Sequence, residues 1–148
     1  MLKIETIAPN FELKDQFGES HTLKEHQDSY VLVYFYPKDD TPGCTKEACV
    51  IRDMYQDFES NGVKVFGISA DSVESHKKFA EKYDLPFTLL SDPKKEIIKA
   101  YGANGHFFTK RISYLLAPGN IIIKTYPKVD PAHHGAEILK DIYALKKE

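Results

Sequence analysis

The chain has 148 residues, 42% apolar and 28% charged, with a net charge of -2. That length buries a core without needing disulfides or a metal, and the balance excludes a disordered or fibrous protein. Acidic and basic residues alternate, which excludes a cationic stripe for nucleic acid or anionic lipid. No apolar run approaches the roughly 20 residues that cross a bilayer. The opening "MLKIETIAPNF" lacks the apolar core of a secretory signal. The expectation is a cytoplasmic protein forming a single domain over residues 1–148, with its thiols kept reduced.

In chain order, Phe11 to Leu13 and Ser20 to Leu23 flank a short turn containing Gly18 and predict an opening hairpin. "YVLVYFY" (Tyr30 to Tyr36), stopped by Pro37, reads as a strand buried on both faces. From about Pro42 to Ser60, Ala48, Ile51, Tyr55 and Phe58 recur at spacings of three and four, predicting one amphipathic helix. Val63 to Ser69 follows the Asn61-Gly62 turn as a second strand, and strand–helix–strand implies parallel pairing. Asp71-Ser72 caps a helix to about Tyr83 with Phe79 and Ala80 inward, and Phe87 to Leu90 is a short strand. Asp92-Pro93 opens a helix to about Tyr101. "ISYLL" and "IIIKTY" form a hairpin across "APGN", and a last helix runs from about Ala132 to Lys146. The predicted architecture is α/β, a central mixed sheet with helices on both faces.

Both cysteines of the chain lie in "YPKDDTPGCTKEAC", five positions apart. Thr41 suits an N-cap and Pro42 a first helical position, which puts Cys44 in the first turn. Unpartnered N–H groups and the positive helix end favour a thiolate there. A free thiol titrates at about 8.5, and lowering that by about two units takes roughly 2.7 kcal/mol. A helix terminus supplies about 0.3 to 2 kcal/mol, so a cation is needed as well. Residues five apart in an ideal helix have Cα atoms roughly 8 to 9 Å apart, pointing about 140° from each other. A disulfide needs less than about 7 Å. Cys44 and Cys49 can therefore join only if the helix unwinds, which suits a catalytic cycle. A thiolate attacks a peroxide O–O bond, and a second thiol condenses the sulfenic acid to a disulfide. In such a cycle Thr41 is a candidate to hydrogen-bond the peroxide, and Pro37 to shape the loop and shield the sulfur, roles that spacing alone does not prove.

"YPKDDTPGCT" fits the Pro-x-x-x-Thr-x-x-Cys signature of peroxiredoxins, with Pro37, Thr41 and Cys44 at its fixed positions. With Cys49, the chain resembles the bacterioferritin-comigratory protein, or PrxQ, class. The likeness continues through "IAPNFEL", "GVKVFGISADSVESHKKFAEKYDLPFTLLSD" and "VDPAHHGAEIL", nearly the whole chain. The resemblance implies a thioredoxin-like fold of the peroxiredoxin type and an atypical two-cysteine, thiol-dependent peroxidase. Its substrates would be hydrogen peroxide and organic hydroperoxides. Cys44 would be the peroxidatic cysteine and Cys49 the resolving one. It also implies a cation, carried here by Arg111 at the start of "RISYLLAPGN", although Ser113, Tyr114 and Ala117 stand where Thr, Phe and Asp are common. Re-reduction by thioredoxin or a similar dithiol, a monomeric state, and no metal, haem or flavin cofactor complete what the family implies.

Plainer readings stand beside these. Either cysteine can be a small buried apolar residue, and Arg111 a surface cation. Asp39 and Asp40 read as a solvated loop, and His133-His134 as a polar pair near a helix start rather than zinc ligands. Tyr101, Phe107 and Phe108 either line a hydrophobic mouth or pack. The rival activities are a disulfide oxidoreductase or redox sensor on the same fold, which usually carries Cys-x-x-Cys, and a non-catalytic binding module.

Overall fold

The computed structural model describes residues 1–146. A hairpin of β1 (Glu12–Lys14) and β2 (Ser20–Thr22) opens the chain, and Phe11 and Leu23 just outside it drop into the core. Gly18 turns between the strands at φ 81°, while Asp15 Oδ1 accepts the Phe17 and Glu19 N–H groups. β3 (Tyr30–Phe35), β4 (Val63–Ser69) and β5 (Thr88–Ser91) follow, then β6 (Ile112–Ala117) and β7 (Ile121–Tyr126). They form one seven-stranded sheet in the order β2-β1-β5-β4-β3-β6-β7. β3, β4 and β5 run parallel, and β6 pairs antiparallel with β3.

The helices are α1 (Pro42–Asp53), α2 (Tyr55–Ser60), α3 (Val73–Tyr83), α4 (Glu96–Ala100) and α5 (His134–Lys146). Alternation along β3 divides the core. Leu32, Tyr34 and Tyr36 face Ile51, Phe58, Phe79 and Ile138, from α1, α2, α3 and α5. Val31, Val33 and Phe35 face Ile98 of α4 and the N-terminal Ala8 and Phe11. A period of two thus gives each sheet face its own apolar layer. No helix among the described residues is long and apolar enough to cross a membrane.

Two helix expectations need correction. The helix predicted over Pro42 to Ser60 breaks at Met54 (φ -102°, ψ 2°), whose N–H is shared between Val50 and Ile51 carbonyls. A one-residue break leaves the apolar phase almost intact, so periodicity conceals it. The helix expected from Asp92-Pro93 begins at Glu96, because residues 92–95 form a turn closed by the Lys95 N–H on the Asp92 carbonyl. Lys95 is left-handed there at φ 59°. Asp92 instead accepts the Ile98 N–H through its side chain.

The topology puts the end of β3 and the start of β6 side by side, since Phe35 pairs with Ile112. Pro37 and Arg111 therefore meet at the edge where the parallel strands end, the edge at which α/β sheets usually gather their chemistry.

Candidate active site

Cys44 occupies the first turn of α1 and is 2% exposed. It packs in the layer that holds Tyr34 and Tyr36, whose rings stack at 5.5 Å. Tyr34 lies so close over Gly67 that a Cβ there would stand 2.7 Å from its ring. Only glycine on β4 lets that ring fill the space under the cysteine layer.

Arg111 brings the positive charge. Its Nη2 donates to Cys44 Sγ at 3.2 Å and its Nη1 to Glu47 Oε1 at 2.8 Å. The planar fork holds the thiol and the carboxylate at once, which a lysine's single ammonium does less well. Glu47 follows Cys44 by three residues, on the same face of α1, and its side chain is 1% exposed. Burial pushes its carboxyl up to about 7 against the pull of Arg111. Burial also opposes charge on Arg111, but the Cys44 hydrogen bond and the Glu47 charge outweigh it and raise its affinity for the proton. Gly43 leaves room for the fork: a Cβ there would meet Nη2 at 3.0 Å.

Thr41 holds the N-cap backbone position, φ -98° and ψ 156°, but its side chain caps nothing. The hydroxyl donates instead to the Lys38 carbonyl at 2.8 Å. With its hydrogen so engaged, Oγ1 presents lone pairs to its surroundings as an acceptor. Pro37 is half-buried just beyond β3. Cys49 is half-buried, and both cysteines are free on an α1 that runs unbroken through both.

The structure thus brings Cys44 and Arg111 into contact, with Thr41 and Pro37 on the loop leading into the helix. It keeps Cys49 apart along the helix. Glu47 was missed by sequence reasoning, yet an acidic residue three positions from Cys44 on a buried face was a readable signal. Asp39 is a correction. Expected in a solvated loop, it is 7% exposed and accepts from the Tyr36 hydroxyl, Ser75 and His76. Asp40 is exposed, as expected. The histidine pair also splits. His133 is exposed beside Asp130, whereas His134 is buried between Ser113 Oγ (2.8 Å) and Glu137 (3.0 Å). Burial lowers the His134 affinity for a proton. Tyr101 packs in the core and donates to the Pro9 carbonyl, while Phe107 and Phe108 are 78% and 73% exposed.

A buried thiol at a helix start, hydrogen-bonded by a guanidinium, is the arrangement in which proteins activate a cysteine. The model of the AhpC/TSA family matches residues 4–125, and the chain belongs to that family. It is 45% identical to the chloroplastic peroxiredoxin Q of Sedum lineare over 95% of this chain and 78% of that protein. A cysteine-to-serine mutant of PrxQ from Xylella fastidiosa superposes with a TM-score of 0.93, at 27% identity over 99% and 98% of the two chains. The bacterioferritin comigratory protein of Xanthomonas campestris, in structures described for its alkyl peroxide reduction, gives 0.86 at 30% identity over 91% of each chain. The fold is that of the thioredoxin-like peroxiredoxins, and the protein is a thiol peroxidase, an oxidoreductase.

Proposed function

We propose that Cys44 is the peroxidatic cysteine and Cys49 the resolving one, in a cycle that consumes one hydroperoxide per turn. The contact that carries this reading is Arg111 Nη2 on Cys44 Sγ at 3.2 Å, at the positive end of α1. A hydrogen bond to a charged group contributes about 1.5 to 3 kcal/mol. The helix end adds about 0.3 to 2 kcal/mol. Both interactions favour negative charge on the sulfur, the form that attacks a peroxide.

The Cys44 thiolate attacks the nearer oxygen of ROOH. The S–O bond forms as the O–O bond breaks, and the leaving RO⁻ takes a proton to depart as ROH. Arg111 faces the negative charge throughout, and Thr41 Oγ1 accepts from the peroxide hydroxyl to align it. Pro37 screens the sulfur from bulk water. The Cys49 thiol then attacks the Cys44 sulfenic acid, releasing water and closing a disulfide. That step requires the first turns of α1 to open. A thioredoxin-type dithiol returns both sulfurs to the thiol state and is itself oxidised. The alkyl peroxide activity described for the Xanthomonas protein supports organic hydroperoxides beside hydrogen peroxide. A cytoplasmic, monomeric enzyme completes the reading.

Cys49→Ser tests the division of labour. In stopped-flow assays the variant reacts with its first equivalent of peroxide at close to the wild-type rate, within about threefold. It then stops as the sulfenic acid unless a small thiol is supplied. Sustained thioredoxin-linked turnover by this variant, with no small thiol present, would remove Cys49 from the cycle.

A further inference from the structure

The loop that carries Pro37 and Thr41 is fastened to α3 through its acidic side chains. Asp39 is the fastening. Its Oδ1 accepts from the Tyr36 hydroxyl at 2.6 Å, and its Oδ2 accepts from Ser75 Oγ at 2.8 Å. His76 Nδ1 lies 2.6 Å from the same Oδ2, and the Asp39 N–H donates to Asp71 Oδ2 at 2.9 Å. The far ring nitrogen, Nε2, faces the Leu90 carbonyl of β5 at 2.9 Å. A carbonyl only accepts, so Nε2 carries a hydrogen, and Nδ1 shares one with Asp39 Oδ2. His76 and Asp39 thus form a buried hydrogen-bonded pair, with side chains 0% and 3% exposed. Asp40 adds an exposed contact with α3: it turns left-handed at φ 57° and reaches Lys82 Nζ at 2.8 Å and the Tyr83 hydroxyl at 2.9 Å. Nothing in the peroxide chemistry uses these groups directly.

Resting on the assignment of Cys44 and Cys49 above, we propose that Asp39 is a positioning residue of the peroxide pocket. It pins residues 37–41 to α3 through Ser75 and His76, so the unwinding that lets Cys49 reach Cys44 starts after Pro42 and leaves the peroxide-binding loop standing. α1 can open because its own N-cap lacks a side-chain bond. The loop cannot follow, because its carboxylate sits in a fully donated, buried site. Two steps of one cycle are thereby assigned to different segments. Attack depends on the pinned loop, and closure depends on the helix.

Rapid-mixing kinetics on the full chain separate the two. In a Cys49→Ser background, Asp39→Asn slows sulfenic acid formation at Cys44 by at least about 10-fold and raises the hydrogen peroxide concentration giving half the maximal single-turnover rate, since an ångström of misplacement is enough for such a loss. With both cysteines present, disulfide closure from the sulfenic acid stays within about twofold of the parent. Ser75→Ala removes one donor but keeps the Asp39–His76 hydrogen bond. It gives a smaller loss in the attack step alone, and it decides the matter if Asp39→Asn fails to fold by circular dichroism. Attack rates unchanged in a folded variant, or both steps slowed equally, overturn the proposal. If the Cys49→Ser parent itself forms no sulfenic acid at Cys44, it is the assignment of the nucleophile that fails, and that readout is independent of Asp39.

Discussion

Cys44→Ser lowers peroxide consumption to the rate seen without enzyme, while the protein remains folded. Serine is slightly smaller than cysteine and enters a site that is 2% exposed, so it leaves little cavity. Its hydroxyl still accepts the Arg111 Nη2 hydrogen that Cys44 Sγ accepts. What it lacks is a second stable charge state. Neither a helix end nor one guanidinium offsets ionising an alkanol, and an uncharged oxygen does not open an O–O bond. The loss is one of chemistry, not of stability. A coupled assay with a dithiol donor, read beside a thermal melt, checks both halves. Residual turnover in a folded variant would place the nucleophile elsewhere, and disappearance of the melt would make the result one of packing.

Arg111→Met comes next in size, slowing the attack on hydrogen peroxide by about 10²- to 10³-fold, the usual cost of one preorganised donor at a developing anion. Methionine keeps most of the stem and removes both donors, one on Cys44 and one on Glu47. Glu47 decides whether the variant folds. Its carboxyl is already pushed up to about 7 by burial, with Arg111 pulling the other way. Without the guanidinium, burial acts unopposed and the carboxyl stays protonated at neutral pH. The substitution therefore buries a neutral acid, not a bare charge, which is the costly case. Single-turnover rates at saturating peroxide check the size of the effect. A rate within about threefold of wild type would leave the helix end as sufficient activation and Arg111 as a bystander.

The sequence announced more of this site than of the scaffold that holds it. β3 and β4 were legible because "YVLVYFY" and "VKVFGIS" are apolar runs bounded by turn residues. Ser72 capped α3 as expected, accepting the Ser75 N–H. The Thr41 cap was half right, because backbone preference set its extended conformation but the hydroxyl found the Lys38 carbonyl nearer to hand. The break at Met54 left no mark on the apolar spacing. It sits against Gly135 of α5, where a Cβ would come within 2.9 Å of the methionine sulfur, a tertiary contact that no local pattern encodes. Asp39 was misread for the same reason: its partners Ser75 and His76 lie 36 and 37 residues away. Short-range spacing singled out Cys44 and Cys49 as candidates, and family likeness pointed to Arg111, 67 residues beyond the sulfur it touches. The buried Asp39–His76 pair had neither signal.

Peptide mass spectrometry before and after one equivalent of hydrogen peroxide tests the central claim most directly. The account predicts a wild-type protein that loses two hydrogens, with Cys44 and Cys49 joined in a single cross-linked peptide and no retained oxygen. Oxygen found on Cys49 with Cys44 still a free thiol would contradict it, as would a chain left unchanged by the oxidant.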